Sequence, residues 1–396
     1  MKTIENLSHG GQIRRLRELA EAALAYYELG NARISLLSRR ESSVFQVIAT
    51  PVMRRTLPEM ESSDEDYDYE EGEEGSGDEE EEEAKRKEEQ DSQIEEGRVE
   101  IAYVLEPVEP PVRTRYTLRL YTENNTSSAM ILSELQWLLA LRRDTGLFVP
   151  EPVAARNGEL LTEVQIEGSP SAVRCVLFRW VEGRFVDAGL TPVHLERVGV
   201  LMARMHHHAR TYSPPSGFTR PRWDWRWLFG ETSVINPEFV ARCPTVDALS
   251  DREHKILEAT AQKIEEEMQS LPEDAENYGL IHYDLQQTNY LFYRDEARAI
   301  DFEDCCFGYY LFDMAITLTS LMGRSGEQAM REAFFRGYAS MRLLPPRYEE
   351  RLQGFTAMRL IKRANYLLRS TDRNNQEKAP AWLTYTVGWL EKFVET

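Results

Sequence analysis

The residues best able to do chemistry in this sequence lie in two short segments after position 280. The first segment holds His282, Asp284 and Asn289, and the second begins at Asp301, twelve residues after the asparagine. An amide oxygen and a carboxylate are hard oxygen ligands, and they suit Mg²⁺ that carries a substrate phosphate. Asp284 precedes Asn289 by five residues. We therefore expect it in the loop beside the metal, close enough to take a proton from a hydroxyl there.

A β-hairpin is predicted between these two segments, because apolar runs at 290–293 and 299–300 flank the turn-like stretch 294–297. If the turn centres on Asp295 and Glu296, the ladder puts Asn289 roughly opposite Asp301. The amide oxygen and the carboxylate would then share one end of the ribbon.

The two segments resemble the catalytic and metal-binding loops of the protein-kinase-like fold, H-x-D-x-x-x-x-N followed by D-F. The longer string from 280 through 301–304 to 312–315 resembles the aminoglycoside phosphotransferases and their relatives, which include choline, homoserine and bacterial stress-response kinases. The Trp-rich stretch 220–225 is most similar to the stress-response and homoserine-kinase-like branch. The resemblance implies an α+β fold with two lobes: a small antiparallel-sheet N-lobe with one long helix, and a larger, mainly helical C-lobe.

The resemblance also implies the roles of the motif residues. Asp284 is the base that orients the acceptor hydroxyl, Asn289 and Asp301 hold Mg²⁺, and ATP is the phosphoryl donor. Asp313 anchors the catalytic loop through hydrogen bonds. Tyr283 is bulkier than the Gly or Ala frequent in these relatives, and Gln-Gln-Thr at 286–288 replaces their usual His-Pro-Gly-like run. The acceptor stays open: an aminoglycoside, an amino alcohol such as homoserine, a sugar, or a protein Ser/Thr.

A nucleotide-binding pseudokinase that acts as an interaction scaffold is the alternative function. Pseudoenzymes generally lose a base or a metal ligand. This sequence retains Asp284, Asn289 and Asp301, which favours the enzyme.

Length and charge limit the other classes of function. A chain of 396 residues has room for two lobes, expected as a nucleotide-binding lobe at 1–179 and a catalytic and acceptor-binding lobe at 180–396. The net charge of −20 is concentrated in residues 59–100, which hold 22 Asp or Glu against 4 Lys or Arg. The rest is nearly neutral and has no basic stripe, so we expect neither nucleic acid nor a membrane as partner. Without a signal-peptide core or a long apolar run, the expected location is cytoplasmic.

The acidic stretch at about 59–97 is expected to be a disordered, solvated insertion in a surface loop, because it has few apolar side chains. An autoinhibitory tail or a lure for cationic substrates is the functional alternative. The four cysteines match neither a metal spacing nor a disulfide framework, so we expect reduced thiols.

The N-terminal part predicts a helix followed by strands. Apolar spacing over 13–29 predicts a helix capped by Gly30, and strands are expected at 34–37, 43–49, 99–105 and 116–121. By resemblance, Ser42 and Ser43 in the first turn cover the nucleotide phosphates with small side chains and main-chain N–H groups. A plain hairpin turn would look much the same.

Arg119 lies mid-strand among apolar neighbours and therefore needs a carboxylate. A helix beginning near Ser127 would place Glu134 on its inward face, together with residues 131, 135, 138 and 139. The pair Arg119 and Glu134 resembles the cation and carboxylate that position the α- and β-phosphates, although a purely structural ion pair is the alternative. The strand at 173–183 resembles the hinge strand, whose main chain at Arg179 and Val181 would receive the adenine edge.

Three further features of the C-terminal half carry open alternatives. The histidines at 206–208 end a predicted helix at 195–208, and a structural role is favoured over metal binding because adjacent helical residues point about 100° apart. The segment 223–227 has three tryptophans and Asp224, which could cage an ammonium group or wedge the lobe together.

Helices are expected at 334–344, 348–368 and 382–394. Four cations belong to or follow the middle helix: Arg359, Lys362, Arg363 and Arg369. They could receive an anionic acceptor group, but a solvated helix face is the favoured interpretation.

Overall fold

The computed structural model describes residues 7–39, 42–52, 113–122, 126–167 and 171–396. The acidic insertion predicted at about 59–97 and the strand predicted at 99–105 lie outside these residues.

An antiparallel sheet forms the first half of the described chain, together with two helices. Within the described residues the sheet has six strands in the order β1-β2-β3-β6-β4, and β5 also pairs with β6. The strands are β1 Leu29–Arg39, β2 Ser43–Pro51, β3 Thr114–Tyr121, β4 Glu151–Val153, β5 Thr162–Val164 and β6 Val173–Arg179. The helices are α1 His9–Leu24 and α2 Ser128–Thr145. The predicted strands at 34–37, 43–49 and 116–121 are thereby confirmed.

Helix α1 packs on this sheet because both elements present one apolar face. Phe45, Val47 and Ala49 alternate along β2 and are buried, and they share a core with Leu16 and Leu19 of α1. This is the period of two expected for a strand with one buried face.

The predicted end of α1 is wrong. The helix stops at Leu24, and Gly30 lies in β1. The N–H groups of Ala25, Tyr26 and Tyr27 bond to carbonyls three residues back, which tightens the last turn. Tyr27 is nevertheless fully buried, so the apolar pattern continues past the helix end.

Helix α2 starts where its sequence predicts. The Ser127 hydroxyl accepts from the Met130 N–H, and Gly146 closes the helix in the left-handed conformation with φ +66°. Its inward face buries Ile131, Leu135 and Leu138 as expected. Leu139 is wrongly placed in that set. It is 38 % exposed because it lies one residue, about 100°, around the helix from Leu138.

The second half of the chain is mainly helical and carries two short antiparallel ribbons. The helices are α3 Pro192–Thr211, α4 Pro237–Ala241, α5 Asp251–Gln269, α6 Tyr310–Thr319, α7 Glu327–Ala339, α8 Tyr348–Arg369 and α9 Arg373–Glu395, with a 3₁₀ turn at Trp225–Phe229. One ribbon pairs β7 Tyr278–Ile281 with β10 Cys306–Tyr309, and the other pairs β8 Tyr290–Tyr293 with β9 Glu296–Ala299. This sheet-plus-helices architecture is the bilobal kinase-like fold that the motifs imply.

Helix α6 lies at the centre of the helical part, where all ten of its residues are buried. Helix α8 packs against it and against α9. Helix α9 begins earlier than predicted: Asp372 caps it by accepting from the Asn375 N–H, and Pro380 lies inside it. Helix α7 is likewise shifted towards the N-terminus relative to the predicted 334–344.

In the part of the chain that the structure describes, no helix has both the length and the apolar character needed to span a bilayer. Cys175, Cys243, Cys305 and Cys306 are buried free thiols, as the sequence predicts.

Candidate active site

Hydrogen bonds to Asp313 and to the Ile300 carbonyl hold the start of the loop that carries Asp284. His282 follows β7 and is fully buried; one of its ring nitrogens contacts the Ile300 carbonyl at 3.0 Å. The main-chain N–H groups of His282 and Tyr283 donate to the two oxygens of Asp313 on α6, at 3.0 and 2.8 Å. The predicted anchoring role of Asp313 is confirmed. These bonds hold Tyr283 at φ +69°, a conformation a bulky residue rarely adopts without such support.

His206 of α3 completes this buried network and plays the expected structural part. Its ring nitrogens contact Asp313 at 3.2 Å and the Tyr338 hydroxyl at 3.0 Å. Burial lowers the pKa of His206, against the opposing effect of Asp313. The nearby His208 pairs with Asp144 instead, so His206 and His208 make separate contacts.

Asp284 lies in a small set of hydrogen-bond donors at the edge of the cleft. The Gln286 side-chain amide donates to both carboxylate oxygens, at 3.2 and 3.0 Å, and the Asn289 amide donates to one of them at 2.8 Å. A guanidinium nitrogen of Arg359 lies 3.5 Å from the other oxygen. The carboxylate is thus oriented while its side chain stays 23 % exposed.

The hairpin between the two motif segments forms, but its register is one step from the predicted one. Tyr290 pairs with Ala299 and Tyr293 with Glu296, so the turn centres on Arg294 and Asp295. Asn289 therefore lies opposite Ile300, whose N–H donates to the Asn289 carbonyl at 2.9 Å. The positive φ of 52° at Arg294 produces this tighter turn. Asp301 is the next residue, at φ +66°, so it still leaves the same end of the ribbon.

Arg119 of β3 ties the sheet to the second motif segment. Its guanidinium donates to Glu134 of α2 at 3.0 Å and to Asp301 at 2.8 Å. The Glu134 side chain is 2 % exposed, whereas that of Asp301 is 49 % exposed. Burial raises the pKa of Glu134, and the positive charges of Arg119 and Arg220 oppose this shift. The carboxylate that Arg119 requires is found where the sequence predicts it, and Asp301 is a second one.

Ser42 and Ser43, expected at the nucleotide phosphates, are placed differently by the structure. The Ser42 hydroxyl lines the cleft and donates to Glu303 at 2.9 Å. The Ser43 side chain is 1 % exposed and begins β2 opposite Leu120, so its hydroxyl does not face the cleft. For Ser43, only its main chain can still take the predicted role at the nucleotide phosphates.

The expected hinge lies where β6 ends. Arg179 is paired on both sides, with Tyr116 of β3 and Glu151 of β4. Two residues on, Val181 makes no main-chain hydrogen bond within the described residues, which leaves its N–H and C=O available to a ligand. Beyond it, Arg184 and Phe292 exchange main-chain bonds at 3.0 and 2.9 Å, so the hinge is joined to β8.

The residues of the Trp-rich segment make different contacts. Trp223 is buried and stacks on Phe312 with ring centroids 4.4 Å apart, which is the wedge interpretation. Asp224 caps the 3₁₀ turn by accepting from the Arg226 N–H at 2.9 Å, so it does not serve a cage. Trp227 is 62 % exposed and lines a cavity of about 310 Å³ next to the motif segments.

Three cations of α8 were wrongly expected on a solvated face. Arg359 is 9 % exposed, and Arg359, Lys362 and Arg363 line a cavity of about 280 Å³ together with Asp284 and Asp301. Arg369 is exposed and donates to the Thr232 carbonyl, as a surface cation would. The reason is that residues 354–361, in the middle of α8, are all buried. A charged residue between Met358 and Leu360 has no solvated face to occupy.

Two other functional residues escaped the sequence reasoning. Gln286 orients Asp284. In the sequence, only the departure of residues 286–288 from the family pattern could have suggested this role. Arg220 donates to the main-chain carbonyls of Met130, Glu303 and Cys305, and thereby joins α2 to the second motif segment. Its position before Pro221 gave no signal for this bridging.

The donor set fits a hard divalent cation bound together with phosphates. Because the Asn289 amide nitrogen donates to Asp284, its oxygen is left for a ligand. Among the described residues, no three His, Cys, Asp or Glu side chains are grouped so that they could hold a metal by themselves. One amide and one carboxylate are nevertheless a familiar protein contribution to Mg²⁺, which takes its remaining ligands from substrate phosphates and water.

Comparison with known proteins gives the family. A model described as the phosphotransferase enzyme family matches residues 107–355. Because this range covers more than half of the 396 residues, the chain belongs to that family. A homoserine kinase of Nitrobacter winogradskyi is 30 % identical over 177 residues, which are 44 % of this chain and 48 % of the relative. The chain spans about half the length of these curated relatives.

Solved structures share the fold over almost the whole chain. A microcompartment-associated aminopropanol kinase superposes with a TM-score of 0.68 at 22 % identity, and covers 96 % of this chain and 98 % of its own. The amicoumacin kinase hAmiN, in complex with AMP-PNP, Ca²⁺ and Ami, gives a TM-score of 0.64 at 16 % identity, with 96 % of both chains covered. At these identities the likeness establishes the fold.

Proposed function

We propose that this protein transfers the γ-phosphoryl group of ATP, bound with Mg²⁺, to a hydroxyl group of a small molecule. One observation carries the proposal: a single guanidinium, Arg119, joins the helix carboxylate Glu134 to Asp301, while Asp284 and Asn289 are hydrogen-bonded to each other in the same cleft.

The proposed roles follow from the geometry of each group. Arg119 holds the α- and β-phosphates, because a guanidinium can fork between carboxylate and phosphate. Ser42 and the main chain of Ser43 lie over the phosphates. The main chain at Val181, with Arg179 at the strand end, receives the adenine edge. This assigns residues 1–179 to the nucleotide lobe and 180–396 to the catalytic lobe.

Catalysis rests on placement more than on acid–base strength. Asp284 orients the acceptor hydroxyl and accepts its proton, and Gln286 and Asn289 hold the carboxylate in position. Asn289 and Asp301 would hold Mg²⁺, which when bound neutralises charge on the transferred phosphoryl group. The complex of hAmiN with AMP-PNP and Ca²⁺ supports a nucleotide with a divalent cation, and the homoserine and aminopropanol kinases support a small acceptor.

The pseudokinase alternative receives no support from the site. All three motif side chains are present: Asp284 and Asp301 line one cavity, and the Asn289 amide donates to Asp284. A scaffold would not need the Asn289 amide turned so that its oxygen stays open to a cation.

Labelled ATP, offered with a metabolite library and with Ser/Thr peptides, tests the proposal. We expect label in a small molecule, dependent on Mg²⁺ and absent with the Asp284→Asn variant. An enzyme-only reaction controls for autophosphorylation. Label only in peptides would refute the small-molecule acceptor. ATP binding without any transfer would point to the scaffold instead.

A further inference from the structure

The acceptor side of the cleft contains cations that the protein itself leaves poorly paired. Helix α8 brings Arg359 and Lys362 to the cavity of about 280 Å³ that also contains Asp284. With Arg363, which lines the same cavity, this places three positive side chains around the group proposed to meet the acceptor hydroxyl.

Lys362 has no carboxylate within ion-pair distance among the described residues. Its ammonium nitrogen lies 3.2 Å from the centre of the Tyr283 ring, a contact with an aromatic face and not with an anion. Burial lowers the pKa of Lys362 to about 8, with the neighbouring Arg359 as the next cause. Asp304 and Asp284 favour its charge only through space.

Arg359 is paired only loosely. Its guanidinium lies 3.5 Å from Asp284 and 3.5 Å from the Gln286 side-chain oxygen. Charge-assisted hydrogen bonds are usually about 2.7–2.9 Å long, and a guanidinium has five N–H donors. Most of the donor capacity of Arg359 is therefore open to a ligand.

A purely structural role would require short carboxylate partners, because an unpaired charge in protein surroundings is costly. Arg119 shows what such pairing looks like in this same cleft, with carboxylates at 2.8 and 3.0 Å. Lys362 and Arg359 lack it. Asp301, Glu303 and Asp304 line the same cavity, but within the described residues they form no ion pair with either group, so an entering anion would meet open donors.

A nucleotide phosphate is the other anion that could use these cations. Arg119 already provides a cation beside Asp301 on the nucleotide side. Lys362 instead contacts Tyr283, which also lines the adjoining cavity with Trp227 and Asp304. That cavity lies away from the hinge, where an acceptor and not the adenine would bind.

We propose that the acceptor is a small hydroxy acid, whose anionic group is bound by Lys362 and Arg359 while its hydroxyl lies at Asp284. This inference rests on the proposed kinase function and adds the chemical class of the acceptor. A hydroxy amino acid is the member of that class that could also use the carboxylate of Asp304, which has no hydrogen-bonded partner among the described residues.

Matched acceptors that differ only by a carboxylate provide the direct test. The pairs are homoserine with 3-aminopropan-1-ol, serine with ethanolamine, and threonine with 1-aminopropan-2-ol, supplemented by a library of anionic, neutral and cationic hydroxyl compounds. We expect kcat/KM for the best carboxylated acceptor to exceed that of its partner by about 10- to 100-fold, the worth of one charge-assisted hydrogen bond.

Variants locate the effect. Lys362→Gln should erase this preference by raising KM for the carboxylated acceptor, and Lys362→Arg should restore most of it. Arg369→Gln removes a cation from the same helix outside the cleft and should leave the preference unchanged. Circular dichroism and ATP affinity, measured on each variant, separate loss of folding from loss of acceptor binding.

The outcomes are distinguishable. Equal or better turnover of the decarboxylated partners, or turnover only of neutral or cationic library members, overturns the anion inference and leaves the kinase proposal standing. A Lys362→Gln variant that weakens ATP and both members of a pair equally assigns the cations to the nucleotide and also overturns it. No ATP binding and no turnover with any compound removes the kinase proposal, and the inference with it.

Discussion

The cations on the two sides of the cleft differ in how closely they are paired with carboxylates. On the nucleotide side, Arg119 is enclosed by Glu134 and Asp301 at hydrogen-bonding distance, with Glu303 at 3.9 Å. On the acceptor side, Lys362 faces an aromatic ring and lacks an ion-pair partner among the described residues. The first arrangement is complete before any ligand binds. The second would be completed by the proposed anionic acceptor.

This difference separates phosphate binding, which all kinases need, from recognition of the acceptor, which is specific to each kinase. A preorganised guanidinium costs no rearrangement when phosphate charge arrives, which is the general advantage of a fixed electrostatic site. An underpaired cation, in contrast, penalises every acceptor that does not bring an anion, so it discriminates among acceptors. In the proposed function, ATP is therefore held by a preformed framework, and the acceptor is selected by the loosely paired cations.

The largest expected effect comes from Asp284, where the two sides meet. Asp284→Asn keeps the size of the side chain but removes the proton acceptor, so kcat should fall by about 10²- to 10⁴-fold. Mg²⁺-dependent ATP binding, measured by calorimetry, should persist. Asp295→Asn is the matched control, since Asp295 lies in the β8–β9 turn with a side chain that is 97 % exposed. Unchanged turnover in the Asp284 variant would contradict the assignment of the base.

The next effect tests how complete the nucleotide side is. Arg119→Met leaves Glu134 buried without its cation, so the free energy of unfolding should fall by about 3–5 kcal/mol and Mg²⁺–ATP binding should be lost. The double variant Arg119→Met/Glu134→Leu should recover much of the stability but not the binding. Urea titration measures the first quantity and calorimetry the second.

Arg115→Met on the same strand is the control for this pair. Arg115 forms an ion pair with Glu182 in which both side chains are nearly half exposed. Its removal should cost less than about 1 kcal/mol. Equal destabilisation by the two single variants would show that Arg119 is no better enclosed than a surface cation.

Much of the nucleotide side follows from the sequence, and the reason is local. Arg119 lies in the middle of a strand, and the sequence alone shows that its neighbours are apolar. A cation in such surroundings needs a carboxylate partner. The spacing of α2 then supplies Glu134. The two motif segments also follow from short-range patterns. The hairpin register was missed by one step because the positive φ at Arg294 is not encoded by a glycine.

The acceptor side could not be read in the same way. Arg359 and Lys362 lie three residues apart on a helix, which is also the spacing of an ordinary solvated face. Only the packing of α8 against α6 and α9 shows that this helix has little solvated surface. The role of Gln286 likewise depends on how the loop folds back on Asp284, which no local pattern specifies.

A smaller effect on kcat is expected from substituting Gln286, which contacts both Asp284 and Arg359. Its amide donates to Asp284, and its oxygen faces Arg359. Gln286→Leu should lower kcat on the order of tenfold, because the base loses the bonds that orient it. Gln286→Glu should be worse, since a second carboxylate would face the first. Steady-state kinetics at saturating ATP measure both, and an unchanged kcat in the leucine variant would remove Gln286 from the positioning of the base.

The smallest expected effect is a pH dependence confined to the acceptor side. The charged and titratable groups that face Lys362 are Arg359 on its own helix, Asp284 and Tyr283 from the catalytic loop, and Asp304 and Cys306 from the segment before β10. With its pKa lowered to about 8, Lys362 is charged below that pH and loses its charge as pH rises through it.

A bound carboxylate favours the charged ammonium, so binding should raise this pKa and take up a proton near pH 8. Calorimetry in buffers of different ionisation enthalpy measures that uptake directly. The carboxylated acceptor should also lose less than about tenfold in kcat/KM between pH 7 and 9, the range set by the titration of one group. In Lys362→Arg the cation stays charged over this range, so both the proton uptake and the loss should disappear. If the arginine variant keeps the dependence, the titrating group is not Lys362, and the unmet charge on the acceptor side must then be assigned to Arg359 alone.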